Sequence, residues 1–448
     1  MNIVDDLYAS YCSAIQALQP EPGQQLVVAL GGGADSQSVL DLTLRYREQH
    51  PELNYLAIHL DHFFHPDSPQ WAEFLRDYCA SQDMPAIVES LPVDLLNRHS
   101  KEAQGRSARY RRLAELTDDN AIILLGQHLS DQAETFLLQL KRGSGPKGLA
   151  AMAAQAPFTG QRRLCRPLLG HNKEQIIRYA STREVPWIED DTNLDTSIDR
   201  NFLRHDVVPL LRQRWPQFEQ VVARSAKLCA EQQELLDSLL QNDLKQRACG
   251  HCFQLTQWQS LSLPHRSALL RAWLQQCGAS MPSQSVMQNL LQQTTAAEDA
   301  NIQVRWGQQQ LRRYQNELYL LPLFADLKEY YQHWDGESEL QLPDNLGSIV
   351  ADPQQGDELA ISEGTQLSLR LLQPGDKFRG QGREQSRSLS RSLGKVGVKP
   401  WERQRWPVLV VAGQIAWTPQ LGVNADYQPE SPLRYLHPVW LKDSGASK

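Results

Sequence analysis

The apolar run Leu26-Val-Val-Ala-Leu30 passes directly into Gly31-Gly-Gly-Ala-Asp-Ser36 and then into the amphipathic stretch Ser38-Val-Leu-Asp-Leu-Thr-Leu44. Strand, glycine turn and helix in that order leave few folds open. Consecutive glycines let backbone N–H groups converge on an anion, and the following helix adds the positive end of its dipole, so the segment suits phosphate oxygens. Asp35 supplies a carboxylate that suits magnesium. A tight turn in which glycine serves only a positive φ accounts for the same residues without a ligand. The segment has neither the Gly-Lys-Ser/Thr of a Walker loop nor the G-x-G-x-x-G of a dinucleotide site.

The strand–helix alternation continues. Tyr55-Leu-Ala-Ile-His-Leu60 and Ala121-Ile-Ile-Leu-Leu125 each precede a helix-like stretch. This predicts an α/β domain over residues 1–215, a mostly parallel sheet with helices on both faces and ligands at the carboxyl ends of its strands. From about Trp215 the pattern turns Gln- and Leu-rich with helical periodicity, as in Ser225 to Leu240, and predicts a helical middle domain over 216–325. After Pro322, short runs such as Leu367-Ser-Leu-Arg-Leu-Leu372 and Pro407-Val-Leu-Val-Val411 predict a small α+β domain over 326–448. Three domains suit 448 residues, about three times the ~150-residue norm for one.

Composition excludes some classes. With 41% hydrophobic and 22% charged residues the chain resembles an average globular protein. No apolar run approaches the ~20 residues needed to span a bilayer, and the start Met1-Asn2-Ile3-Val4-Asp5-Asp6 lacks the basic residues of a signal peptide. Seven cysteines without regular spacing make no disulfide framework, so a reducing cytoplasm is expected. Cys249-Gly-His-Cys252 has C-x-x-C spacing but no second ligand pair for zinc, and coincidence is the favoured reading. The net charge of −7 makes no polycation, yet a nucleic-acid site needs only a local basic surface. Arg383, Arg387, Arg391, Lys395, Lys399, Arg403 and Arg405, interleaved with Trp401 and Trp406, make such a segment.

Further motifs narrow the reading. Gly31 to Ser36 resembles the loop, usually written SGGxDS, of enzymes that split ATP between its α and β phosphates; here Gly31 stands at its first serine. Glu102-Ala-Gln-Gly-Arg106-Ser-Ala-Arg109-Tyr110, Gly126-Gln-His128-Leu-Ser-Asp131-Gln-Ala-Glu134-Thr135, Lys141 to Gly148, Arg166-Pro-Leu-Leu169, Trp187 to Asn193 and Arg200-Asn-Phe-Leu-Arg204 follow in order. Together they resemble the tRNA(Ile)-lysidine synthetase family, and Gly397-Val-Lys-Pro-Trp401-Glu-Arg403 matches its C-terminal segment. The sequence departs from the family at Gly31, at Asp61 and Phe63 around His62, and at Gln127 and Ser130, where the family usually carries His and Asp.

The resemblance implies an ATP- and magnesium-dependent ligase. ATP adenylates the C2 oxygen of the wobble cytidine in an isoleucine tRNA with a CAU anticodon, and free L-lysine displaces AMP to give lysidine. It implies ATP contacts from Gly31, Gly32, Gly33, Ala34, Asp35, Ser36, Arg106 and His128, with Asp35 the metal ligand. Asp35, Arg109, Asp131 and Glu134 are the implied catalytic residues; Asp131 and Glu134, one helical turn apart, are assigned to the lysine ammonium groups or magnesium. The resemblance assigns tRNA binding to the middle domain, 216–325, and the C-terminal domain, 326–448, with Arg387, Arg391, Lys399, Trp401 and Arg403 as contacts; Arg200, Asn201 and Arg204 are assigned to pinning the end of the first domain. A homodimer is compatible with the family. Two other readings share the loop: an inert tRNA-binding protein, motivated by Gly31, Asp61 and Ser130, and a tRNA-thiolating enzyme, which requires a cysteine near the loop.

Overall fold

The computed structural model describes residues 2–61, 65–91, 101–189, 195–296, 302–431 and 433–443. It forms two compact units, residues 1–236 and 237–448.

In the first unit, β1 (Gln25–Leu30), β2 (Asn54–Asp61), β3 (Ala86–Ser90), β4 (Ile122–Leu124), β5 (Gln155–Pro157) and β6 (Arg163–Cys165) form one sheet in the order β3-β2-β1-β4-β6-β5. Every neighbouring pair is parallel except β5 with β6. The helices are α1 (Ile3–Gln16), α2 (Ala34–Gln49), α3 (Ser68–Ser81), α4 (Lys101–Glu115), α5 (Leu129–Lys141), α6 (Pro146–Leu149), α7 (Lys173–Thr182), α8 (Asp199–Phe202), α9 (Val208–Arg214) and α10 (Phe218–Arg247).

Alternation along β1 explains its unbroken apolar sequence. Leu26, Val28 and Leu30 enter a core with Leu7 and Tyr11 of α1, Val39 and Leu42 of α2 and Tyr179 of α7. Val27 enters a second core with Ile58, Ile123 and Leu113 of α4. A strand buried on both faces has no solvent side on which to place a polar residue. From β1 the chain runs outward to β2 and β3, then returns to β4 on the other side of β1. The order therefore reverses between β1 and β4, where a sheet of this kind opens a crevice at its carboxyl edge.

The second unit begins within α10. Helices α11 (Leu263–Gln276) and α12 (Gln284–Gln293) carry the expected helical character, to which the structure adds an antiparallel sheet of β7 (Ala248–Cys249), β8 (Cys252–Gln254), β9 (Gln303–Trp306), β10 (Gln309–Tyr314) and β11 (Glu317–Pro322). Phe253, Val304, Leu311, Leu318 and Leu320 of one sheet face join Leu269 and Trp273 of α11 in the core. Farther along, Tyr331–Trp334, Leu367–Leu371, Pro407–Val411, Gln414–Thr418 and Gly422–Val423 pair into another five-stranded antiparallel sheet, with two short helices, α13 (Leu389–Lys395) and α14 (Pro400–Arg403), between its strands. Among the described residues, no helix is long and apolar enough to cross a membrane.

Candidate active site

At the end of β1, Gly32 has φ +87°, and a Cβ there would lie 2.9 Å from the Ile188 side chain. The Ile188 N–H donates to the Gly32 carbonyl at 3.0 Å. Gly33 caps α2 in an extended conformation, and Ser36 closes the loop: its Oγ accepts from the Gly31 N–H and donates to the Gly33 carbonyl, both at 3.1 Å. At the end of β4, Gly126 approaches the same loop so closely that a Cβ would stand 2.9 Å from the Ser36 nitrogen and 3.0 Å from the Asp35 carbonyl carbon. The segments after β1 and β4 thus meet backbone to backbone in the crevice predicted by the strand order.

His128 links this loop to α5. Its backbone N–H donates to Asp131 Oδ2 at 3.0 Å, and its Nδ1 accepts from the Asp131 N–H at 3.4 Å, a reciprocal cap on the helix. Its Nε2 lies 3.7 Å from Asp35 Oδ1 and 3.4 Å from Asp131 Oδ2. The Asp35 carboxylate also receives the Lys173 ammonium, 2.7 Å from each oxygen.

One turn into α5, Asp131 and Glu134 face Arg200 and Arg204. Arg200 donates Nε to Glu134 Oε2 at 2.8 Å and Nη2 to Asp131 Oδ1 at 3.0 Å. Arg204 donates Nε to Glu134 Oε1 at 2.8 Å and Nη2 to Glu134 Oε2 at 3.0 Å and Asp131 Oδ1 at 3.1 Å. The arginines are four residues apart across α8 and the π-helical turn Leu203–Val207, so both reach one point. Glu134 is only 1% exposed. Burial pushes the Asp131 carboxyl up, but His128, the two arginines and the His128 N–H outweigh it and hold it below its ordinary value. Burial likewise opposes the charge on Arg200 and Arg204, and the two carboxylates outweigh it.

His59, at the end of β2, donates from Nδ1 to the Leu30 carbonyl at 3.1 Å, while its Nε2 is buried without a partner. Burial keeps the ring neutral by pushing its pKa down; the Leu30 hydrogen bond and Asp61 work against this and Arg109 with it. Arg109 is exposed on α4. The side chain of Arg106, and His62, lie outside the described residues. Gln127 accepts from Arg166 Nε, and the buried Ser130 hydroxyl has no hydrogen-bond partner. A Cβ at Gly31 would meet only Ser36 Oγ, at 3.9 Å.

The structure brings Gly31 to Ser36, His128, Asp131 and Glu134 together, and adds Lys173, Arg200 and Arg204. Nothing local in the sequence marks Lys173, 138 residues from Asp35. The spacing of Arg200 and Arg204 was visible, but not their partners. Asp35 offers one carboxylate, and no group of three His, Cys, Asp or Glu among the described residues is arranged to hold an ion. A single carboxylate suits a magnesium ion that keeps waters and takes its other ligands from substrate phosphates.

In the second unit, Arg387 and Arg391 are exposed, Lys399 half-buried and Trp401 only 3% exposed. Trp401 packs on Tyr319 and Tyr314 at 5.2 and 6.2 Å between ring centroids. Arg403 donates from Nε to the Val398 carbonyl at 2.7 Å, clamping α14 against the end of α13. The C-x-x-C pair faces itself across the β7–β8 turn as free thiols, with burial pushing Cys252 up to about 11.

A glycine loop at the end of a central parallel strand, capped by a helix and met by the loop from the switch point, defines a PP-loop nucleotide-binding domain. The PP-loop domain family matches residues 8–211; the TilS substrate binding domain matches 253–319 and the TilS substrate C-terminal domain 367–437. The chain is 45% identical to the tRNA(Ile)-lysidine synthase of Idiomarina loihiensis over 428 residues, 93% of this chain and 92% of that one. It is 42% identical to that of Serratia proteamaculans, covering 90% and 92%, and 36% identical to that of a Vibrio cholerae O1 strain, covering 98% of each. The chain belongs to the tRNA(Ile)-lysidine synthase family.

Proposed function

We propose that this protein is an ATP-dependent ligase that joins L-lysine to C2 of the wobble cytidine in the CAU-anticodon isoleucine tRNA, making lysidine. The observation that carries this reading is the placement of His128 within 3.7 Å of Asp35 and 3.4 Å of Asp131. One buried imidazole spans the phosphate loop and the acidic helix, so a nucleotide and an amine can meet at one point.

In the first step the C2 oxygen attacks the α phosphorus of ATP and pyrophosphate leaves. The N–H groups of Gly31 to Ser36 and the amino end of α2 are suited to hold the phosphates. Asp35 would hold magnesium, which when bound offsets the charge of the departing pyrophosphate; Lys173 must then release that carboxylate. Arg109 is assigned to a phosphate or transition-state contact. In the second step the lysine ε-amine forms a bond to C2, the C2–O bond breaks, AMP leaves and the amine loses a proton. Bringing an amine of pKa ~10.4 to its neutral form at pH 7 costs about 4.6 kcal/mol, so the site must lower that pKa or supply a base. Asp131 and Glu134 position lysine in this reading. Their oxygens already hold two guanidiniums, so one must yield to an ammonium; Arg204 is the more exposed, with 34% of its side chain exposed against 24% for Arg200.

AMP release from labelled ATP with an unmodified isoleucine CAU tRNA transcript, with and without lysine, tests the function when followed by mass analysis of the wobble nucleoside. Lysine-dependent AMP and a lysine-bearing cytidine are expected. Intact tRNA binding without AMP would mean an inert binder. Sulfur incorporation would favour thiolation, against which stand the fully buried thiols of Cys79 and Cys165, raised by burial to about 11 and about 12.

A further inference from the structure

The outer face of the middle sheet carries two arginines that form no ion pair among the described residues. Along β9, β10 and β11 the residues opposite the core are Gln303 and Arg305, Gln310, Arg312 and Tyr314, and Glu317, Tyr319 and Leu321. Pairing places Arg312 beside both Gln303 and Tyr319, and Arg305 beside Gln310. The Gln303 amide, turned to present its oxygen, accepts from Arg305 Nε at 2.8 Å and Nη2 at 2.7 Å and from Arg312 Nη2 at 3.0 Å. Arg312 also donates Nε to Gln310 Oε1 at 3.0 Å. Two guanidiniums are thus drawn onto neutral amides, side by side, with no carboxylate in ion-pair contact among the described residues. Glu317, on this face, accepts from the Tyr319 hydroxyl.

Holding like charges together costs free energy unless an anion joins them. The cost is visible at Arg312, whose guanidinium is destabilised by burial and by the neighbouring Arg305. Its carbon lies 5.9 Å from the Trp401 ring centre and 5.8 Å from that of Phe324. Lys399 Nζ sits 3.9 Å over the Tyr319 ring on the same face. The aromatic contacts orient the cations without neutralising them.

We propose that Arg305 and Arg312, with Lys399 beside them, form a clamp for backbone phosphates of the tRNA substrate. Paired guanidinium forks match phosphate oxygens in geometry and charge. Trp401 has a supporting part here: it is buried against Tyr314 and Tyr319 and fixes α14, hence Lys399, onto the sheet. The middle sheet and the segment 399–403 then form one basic surface. This inference rests on the tRNA-modifying function proposed above.

The test uses the full chain and the isoleucine CAU tRNA transcript, with binding measured over rising KCl for the wild type, Arg305→Gln, Arg305→Lys and Arg305→Gln/Arg312→Gln. The wild type is measured first; if it neither binds nor modifies tRNA, the function itself fails and the clamp with it. Given a functional wild type, the double variant should bind about ten-fold more weakly. The slope of log K against log salt should flatten by roughly 0.7 to 0.9 for each lost phosphate contact. The KM for tRNA should rise while kcat at saturating tRNA and the KM for lysine stay unchanged. Arg305→Lys should keep the wild-type salt slope. Because Arg305 is exposed, Arg305→Gln alone tests the clamp without disturbing the core. Wild-type affinity and salt slope in both Gln variants would overturn the proposal.

Discussion

The protein contains two arginine pairs in opposite settings. Arg200 and Arg204 meet Asp131 and Glu134 in a closed group whose charges cancel. Arg305 and Arg312 hydrogen-bond to amides and, among the described residues, pair with no carboxylate. A buried charge is tolerated when it is paired and hydrogen-bonded. A pair left without acids at a partly exposed face has another source of balance, and for a tRNA-modifying protein the polyanionic substrate supplies it. The first pair belongs to the folded chain's own electrostatics, the second to its complex.

Glu134→Ala offers the largest contrast. It leaves two guanidiniums with one carboxylate and should lower unfolding stability by about 3–5 kcal/mol, whereas Arg305→Ala should stay within about 0.5 kcal/mol of wild type; urea unfolding compares them. Similar losses in both would erase the distinction. A milder substitution, Glu134→Gln, should raise the lysine KM while leaving tRNA-dependent adenylation in place; equal loss of adenylation would move Glu134 from lysine positioning to a metal role.

Acid separates the pairs again. The folded pKa of Asp131 is depressed, so its contribution is complete above its unfolded value of about 3.9 and is lost as pH falls through the folded value. Arg305 and Arg312 have no carboxylate partner among the described residues to protonate. His59 and His171, whose folded pKa values burial depresses, contribute fully above about pH 6.5 and lose that contribution as pH falls below it. Unfolding stability should therefore decline in two windows, one for the histidines and a lower one for Asp131. His59→Gln should shrink the first, and a profile unchanged by that substitution would show that folding does not lower the pKa of this ring. The smallest effect is expected at Gly31→Ser. The new Cβ meets nothing closer than 3.9 Å, and thermal unfolding should place the variant within about 0.5 kcal/mol of the wild type.

What was legible in the sequence follows from range. β1, β2 and β4 could be read because each apolar run declares a strand covered on both faces, and the glycine loop because its conformation is local. The sheet β7 to β11 was hidden: its outer face carries Gln303, Arg305, Gln310 and Arg312, so its alternation there resembles the polar pattern of the helices around it. Asp131 and Glu134 were visible as a pair, but their charge balance came from Arg200 and Arg204, 66 to 73 residues away. Trp401 in a basic segment reads as a platform for an unpaired base. Its burial is decided by Tyr314 and Tyr319, which no local pattern connects to it.

At Gly126 two distant loops touch through their main chains, and the consequence concerns how freely such a site can drift. A junction made by side chains ties each participant to its partner, so one substitution demands another. A junction of bare backbone asks only that Gly126 stay bare. The neighbours Gln127 and Ser130 can then differ from the residues usual in the family while the spacing between phosphate loop and acidic helix stays set by the sheet.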